Sequence, residues 1–269
     1  MASKEELLTN KIFLNAAVPL LKVIVADTPS LKKLFAGTHC IYQVSALDPD
    51  APGGKYATHF QVNCDEWLVH AGKVDKHPFV ELEFKSVEAL NAFFKGKIAP
   101  NTLPKMKGLA KHPKYFVSFM AALLKMSGLL SEKEAPADEA TKRLMVKCFF
   151  YLLSSGISQL NKNGHEAVHD WASKSPDRVY AWKVDNEPDV SAFIRVKAGK
   201  TKAGRGTYKR AMPFFTMRFD SLDSALGILL STDDMLDSTR QGKLIMEGAP
   251  EFGAQIGEYM MLVGAMAQG

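Results

Sequence analysis

Only three of the 269 residues are cysteine, and Cys40, Cys64 and Cys148 show no Cys-x-x-Cys spacing. An odd, scattered set indicates neither a disulfide framework nor a thiolate zinc site, and it suits a reducing cytoplasm. The chain opens Met-Ala-Ser-Lys-Glu-Glu, with acids ahead of any apolar run, so no secretory leader is expected. Long hydrophobic runs are also scarce. The stretch 12–25 is interrupted by Asn15, Pro19 and Lys22, short of the roughly 20 apolar residues that a spanning helix needs. Lys and Arg total 34 against 29 Asp and Glu, a net charge of +5 without the dense basic clustering of a nucleic-acid binder. Trp67, Trp171 and Trp182 are too scattered to form a base-stacking platform, so they are assigned to the core and nucleic acid is not an expected partner. No Ser/His/Asp or Cys/His set and no carboxylate pair stands out by spacing. Neither catalytic residues nor a cofactor are expected on that ground.

What the chain does have is enough apolar residue for more than one core. It is 46% hydrophobic and 23% charged, as in ordinary globular proteins, and its length suggests two domains. It also repeats itself. His77-Pro-Phe-Val-Glu-Leu-Glu-Phe84-Lys-Ser86 lines up with Met212-Pro-Phe-Phe-Thr-Met-Arg-Phe219-Asp-Ser221 at an offset of 135. Each passage alternates with the period of a half-buried strand and then reaches a serine suited to cap a helix. Further on, Gly108 meets Gly248 at an offset of 140, and Phe116, Phe119, Met120, Leu123 and Met126 meet Ile256, Tyr259, Met260, Val263 and Met266. The five extra residues are placed in a loop at 231–237.

Upstream, the alternating segment 40–44 matches 179–184, and each leads through an Asp/Pro turn to a second strand, at 58–62 or 192–196. Third strands are expected at 66–71 and 207–209. Amphipathic helical prefixes at 5–34 and 139–171 break at Pro29 and Gly164, and Leu31 and Leu34 are expected to take the core places of Val168 and Trp171. Breakers and charges at 127–138 mark the joint. The expected organisation is two α+β domains, 1–130 and 137–269, each a mainly antiparallel five-stranded sheet covered on one face by helices.

The run 219–231, then Gly242-Lys-Leu with Gly248 behind it, then an apolar closing helix, resembles the sterol carrier protein 2-like (SCP2-like) lipid-carrier family. The likeness spans about 178–266 and, more faintly, 40–126, where Pro104 stands in the corresponding strand and is tolerable only at a sheet edge. The resemblance implies an apolar tunnel under the closing helix for a fatty acid, fatty acyl chain or sterol-like ligand. On that basis the lining residues are Phe93, Phe116, Phe119, Met120 and Leu123 in copy one, and Leu226, Leu229, Met246, Ile256, Met260 and Val263 in copy two. Both closing helices are apolar over most of their circumference, and methionines suit variable apolar ligands.

Two other features carry chemistry. His165-Glu-Ala-Val-His169 is a literal His-Glu-x-x-His, the spacing of a zinc hydrolase helix in which Glu166 would act as base and Glu187 could supply a third ligand. Copy one has leucines there, so a packing role without metal is the expected one. Lys197, Lys200, Lys202, Arg205, Lys209 and Arg210 form the most basic segment, a hairpin suited either to solvent or to transient contact with an anionic membrane.

Overall fold

The computed structural model describes residues 2–64 and 66–267. The chain forms two compact units, one of residues up to Gly128 together with the chain's end from Met266, the other Leu129–Ala265. In the first, α1 (Lys4–Ile12) runs through a π turn at Phe13–Ala17 and a 3-10 turn at Val18–Leu20 into α2 (Leu21–Asp27), followed by α3 (Pro29–Phe35). Strands β1 (His39–Leu47), β2 (Lys55–Asn63), β3 (Glu66–Ala71) and β4 (Val80–Phe84) come next, then α4 (Val87–Phe94), β5 (Lys105–Lys107) and α5 (Pro113–Ser131). The second contains α6 (Glu139–Lys162), α7 (Glu166–Lys174), β6 (Arg178–Val184), β7 (Ala192–Lys197), β8 (Lys200–Arg205) and β9 (Phe215–Phe219). It ends with α8 (Leu222–Leu229), α9 (Met235–Arg240), β10 (Leu244–Glu247) and α10 (Pro250–Ala267).

Strand order is β3-β2-β1-β4-β5 in one sheet and β8-β7-β6-β9-β10 in the other, the same path taken twice. Both sheets are mixed. The central pairs β1/β4 and β6/β9 are parallel, and the remaining pairs are antiparallel. A parallel pair needs a crossover, and the expected hairpins left no place for one: β3 or β8 must be added outside its hairpin before the chain returns to the other side of β1 or β6.

Local chemistry explains the shared corners. Ser86 and Ser221 each take extended φ/ψ and accept the amide of the residue three positions on, at 3.2 Å in both copies. Phe79 donates its amide to Ile41 O, and Phe214 does the same to Val179 O. Gly108 and Gly248 follow the edge strands at φ +88° and +125°, where a side chain would press on the Phe79 or Phe214 carbonyl. Pro104 stands just before the edge strand β5, where no ladder donor is required of it.

Several expectations need correction. The third strand of copy two is β8 at Lys200–Arg205, not 207–209, because Ala198 and Gly199 both adopt positive φ and turn the chain directly after β7. Within 231–237 the chain already enters α9, capped by Asp234 on the Asp237 amide. Residues 127–131 continue α5, because its apolar packing outweighs Gly128. Leu34 is 45% exposed, and Phe35 instead fills the place held by Trp171.

Pro19 does not interrupt the first helix. A proline has no N–H and crowds the carbonyl four residues back, and the wider π turn ahead of it relieves both problems. Val18 N–H reaches back to Phe13 O, which frees Leu14 O to accept the Thr58 hydroxyl at 2.6 Å. The continuous run Lys4–Asp27 is therefore long and apolar enough to cross a membrane by length and composition, and 78% of its most apolar window is buried inside the fold.

Candidate functional site

Alternation sends Cys40, Tyr42, Val44 and Ala46 of β1 to one face, together with Phe60 and Val62 of β2 and Val80, Leu82 and Phe84 of β4, all buried. Helices cover this face. Phe119 of α5 stacks on Tyr42 at 4.6 Å and meets Phe60 edge-on at 6.4 Å, while Phe93 of α4 lies 5.2 Å from Phe84. Each such ring pair adds about 0.5–1.5 kcal/mol beyond its burial. In the second unit Tyr180, Trp182 and Val184 of β6 and Phe215, Met217 and Phe219 of β9 form the corresponding face. Trp182 donates its indole N–H to Met260 Sδ at 3.2 Å, and Phe150 of α6 stacks on Phe219 at 5.9 Å. Gly156 of α6 packs so close to Val263 of α10 that a Cβ there would lie 2.5 Å from a valine methyl.

The structure places the residues singled out from sequence in two groups. Phe116, Phe119, Leu123, Leu226, Ile256, Met260 and Val263 are buried, whereas Phe93, Met120, Leu229 and Met246 are half-buried. The strand side, Tyr42, Phe60, Trp182 and Phe215, was not among the site residues named from sequence, although its alternation was the available signal. Some outward positions of the closing helices are apolar as well: Val117 is 61% exposed, Leu124 67% and Met261 69%.

The opposite face of the first sheet carries charge. Burial pushes the Glu81 carboxyl up, but bonds from Lys55, Ser45, Gln43 and Lys107 outweigh it and hold the group down at about 2. Glu83 is held low in the same way by Lys107 and Lys55. The parallel registers equate Glu83 with Arg218 and Ser45 with Lys183. There the signs are reversed: Arg218 binds Asp185 at 2.8 Å, and Lys183 binds Glu247, which stands where Lys107 does in copy one.

His165 stands at the N-cap position of α7 without a side-chain capping bond, and His169 lies one turn on, with its Nδ1 3.1 Å from Asn161 Oδ1. Glu187 is engaged by Arg143 at 2.6 Å, and among the described residues no group of three His, Cys, Asp or Glu is placed to hold a metal. In the basic segment, Arg205 lies over the Tyr151 ring and Lys197 pairs with Asp177, while Lys200 and Lys202 of the hairpin, and Lys209 and Arg210 beyond its end, are exposed.

Among solved structures, a crystal structure of sterol carrier protein 2 is similar at a TM-score of 0.34 and 12% identity, covering 43% of this chain and 96% of that one. The likeness is a distant one. No family's sequence model matches the chain, and no curated protein does.

Proposed function

We propose that the protein binds a long-chain apolar ligand, a fatty acid, fatty acyl chain or sterol-like molecule, between each sheet and its closing helix, and acts as a carrier. The observation that carries this reading is that α5 and α10 bury an apolar face and still leave large apolar side chains on the outside, beside exposed Lys114, Glu251 and Glu258. Their inner residues meet the sheet, and Val117, Leu124 and Met261 remain exposed outside. A surface helix normally keeps one polar face, so an exposed apolar one marks a contact with lipid or another apolar surface. Half-buried Phe93, Met120, Leu229 and Met246 would line the way in. The resemblance of the sequence to SCP2-like carriers points the same way.

Native mass spectrometry of freshly purified protein should show a lipid-sized adduct, and a fluorescent fatty acid should bind. Met260→Trp should displace it while leaving the melting temperature near wild type, because the indole fills space the ligand uses. If Met260→Trp instead overpacks the site, stability should fall by about 1–3 kcal/mol. Unchanged binding in the folded Met260→Trp, Phe119→Trp double variant would move the site elsewhere. Absence of binding to any long-chain lipid would remove the reading. An adduct of one zinc, lost in His169→Ala, would favour the metal-dependent hydrolase instead.

We further propose that exposed Lys200, Lys202, Lys209 and Arg210 guide exchange at anionic membranes, each charge near the surface contributing about 1 kcal/mol. Sedimentation with phosphatidylserine vesicles should be clear at low salt and lost at high salt. Equal sedimentation with neutral phosphatidylcholine vesicles would refute it.

A further inference from the structure

The second unit contains a pocket of about 380 Å³, and its lining is largely polar. It lies between α7, the start of β6 and α10, and is bordered by Asp170, Trp171, Lys174, Arg178, Gln255 and Tyr259. We propose that it binds a small oxyanion, a carboxylate or phosphate group, with Arg178 as the principal contact and Lys174 beside it. The proposal stands independently of the lipid-carrier reading.

Three observations carry it. The first is the setting of the cation. Arg178 lies over the Phe214 ring at 4.0 Å and the Phe252 ring at 4.9 Å, rings that themselves meet edge-on at 4.8 Å. Held on aromatic faces, the guanidinium is oriented before any ligand arrives, and its planar set of donors matches carboxylate or phosphate oxygens. Lys174, 75% exposed, shares the pocket and binds Asp170 at 2.7 Å, so that acid competes with a ligand for one of the two bases.

The second is unsatisfied polarity. Trp171 is 6% exposed and Tyr180 1%, yet Trp171 Nε1 and Tyr180 Oη have no hydrogen-bond partner among the described residues. Their rings are in contact, with centroids 5.4 Å apart, and Trp171 forms a wall of the pocket. Buried donors without partners are rare in folded proteins, and one at the pocket wall with a second directly behind it points to a polar occupant near them.

The third is the comparison between the copies. The frame is retained: Phe79 and His112 stand where Phe214 and Phe252 do, with centroids also 4.8 Å apart. The polar groups are not. Registers through Tyr42 and Tyr180 equate Arg178 with Cys40, Phe35 takes the place of Trp171, and the offset of 140 equates Tyr259 with Phe119. In copy one Phe119 stacks flat on Tyr42 at 4.6 Å. In copy two Tyr259 instead stands 5.3 Å from Trp171, and its hydroxyl reaches Ala167 O. At these matched positions the scaffold thus carries Cys40, Phe35 and Phe119 in one copy and Arg178, Trp171 and Tyr259 in the other, the difference a binding site requires.

The test follows the Trp171 indole N–H by NMR, its signal identified by loss in Trp171→Phe. Three probes are titrated: inorganic phosphate, oleate and methyl oleate. Movement with phosphate supports the site and identifies a free anion as sufficient. Movement with oleate but not with phosphate or methyl oleate supports it with the anion carried as a lipid head group. In either case Arg178→Gln should weaken binding about tenfold, the loss of one charge-assisted contact. Lys174→Gln should weaken it less, and Asp170→Asn should tighten it by removing the competing carboxylate. That gain is one a merely structural role would not produce. Lys174→Gln and Asp170→Asn alter exposed groups and keep the test open if Arg178→Gln fails to fold. Equal response to oleate and methyl oleate, no response to any probe, or affinity indifferent to all three substitutions would overturn the proposal. Oleate binding lost in Met260→Trp but untouched by Arg178→Gln would overturn it while leaving the carrier reading in place.

Discussion

Glu81→Ala should destabilise the first unit by about 3 kcal/mol at neutral pH, read as a lowered urea midpoint, and the loss should shrink as the pH falls. Glu81 is 3% exposed and accepts Gln43, Ser45, Lys55 and Lys107 with its two oxygens. Removing the carboxylate leaves those donors without their acceptor inside the fold. Breaking a buried pair from one side costs about 3–5 kcal/mol, here reduced because Lys55 and Lys107 keep Glu83. The pH dependence has a definite sign. The folded group titrates at about 2 and the unfolded one at 4.5. A depressed acid contributes stability that is fully present above 4.5 and is lost as the pH falls through about 2. Wild type and Glu81→Ala should therefore converge across that window. An unchanged midpoint at pH 7 would show that the network adds nothing net.

Gly108→Ala should cost the first unit about 2–4 kcal/mol, since a positive-φ side chain alone costs about 1–3 and a backbone collision is added to it. Gly108 holds φ at +88°, and the new Cβ would meet the Phe79 carbonyl, whose neighbouring amide is bonded to Ile41 O. Gly248→Ala should do the same to the second unit with smaller effect, because its Cβ would lie 3.0 Å from the Phe214 carbonyl. Melting curves of the two single variants decide it. If Gly108→Ala melts like wild type, the matched corner is not the constraint that ties each edge strand to its neighbour.

The duplication was legible because its marks are local. The capping serines Ser86 and Ser221, the alternation of 80–84 and 215–219, and the glycines Gly108 and Gly248 act over a few residues and need no knowledge of the rest of the fold. The helix break at Pro29 was legible for the same reason, with Pro29 at the first helical position of α3. A helix across Pro19 was expected as well, but what accommodates the proline was not legible: the π turn frees Leu14 O, and the hydroxyl of Thr58, distant in sequence, donates to it. No short-range signal announces such a bond.

Composition and spacing by themselves determined that the chain is two copies of one α+β unit, with strands, caps and closing helices at nearly their final places. The apolar candidates were nameable because hydrophobic periodicity reports which face of an element turns inward. Only the tertiary structure decided that the central strand pairs run parallel, since pairing direction depends on where a distant strand returns. It alone also brought Arg178, Phe214 and Phe252 together with Trp171 and Tyr259, residues up to 88 positions apart whose polar atoms carry no periodic signature. Burial of an apolar side chain can be read from its own neighbours in sequence, but the convergence of a few polar groups on one cavity depends on the path of the whole chain.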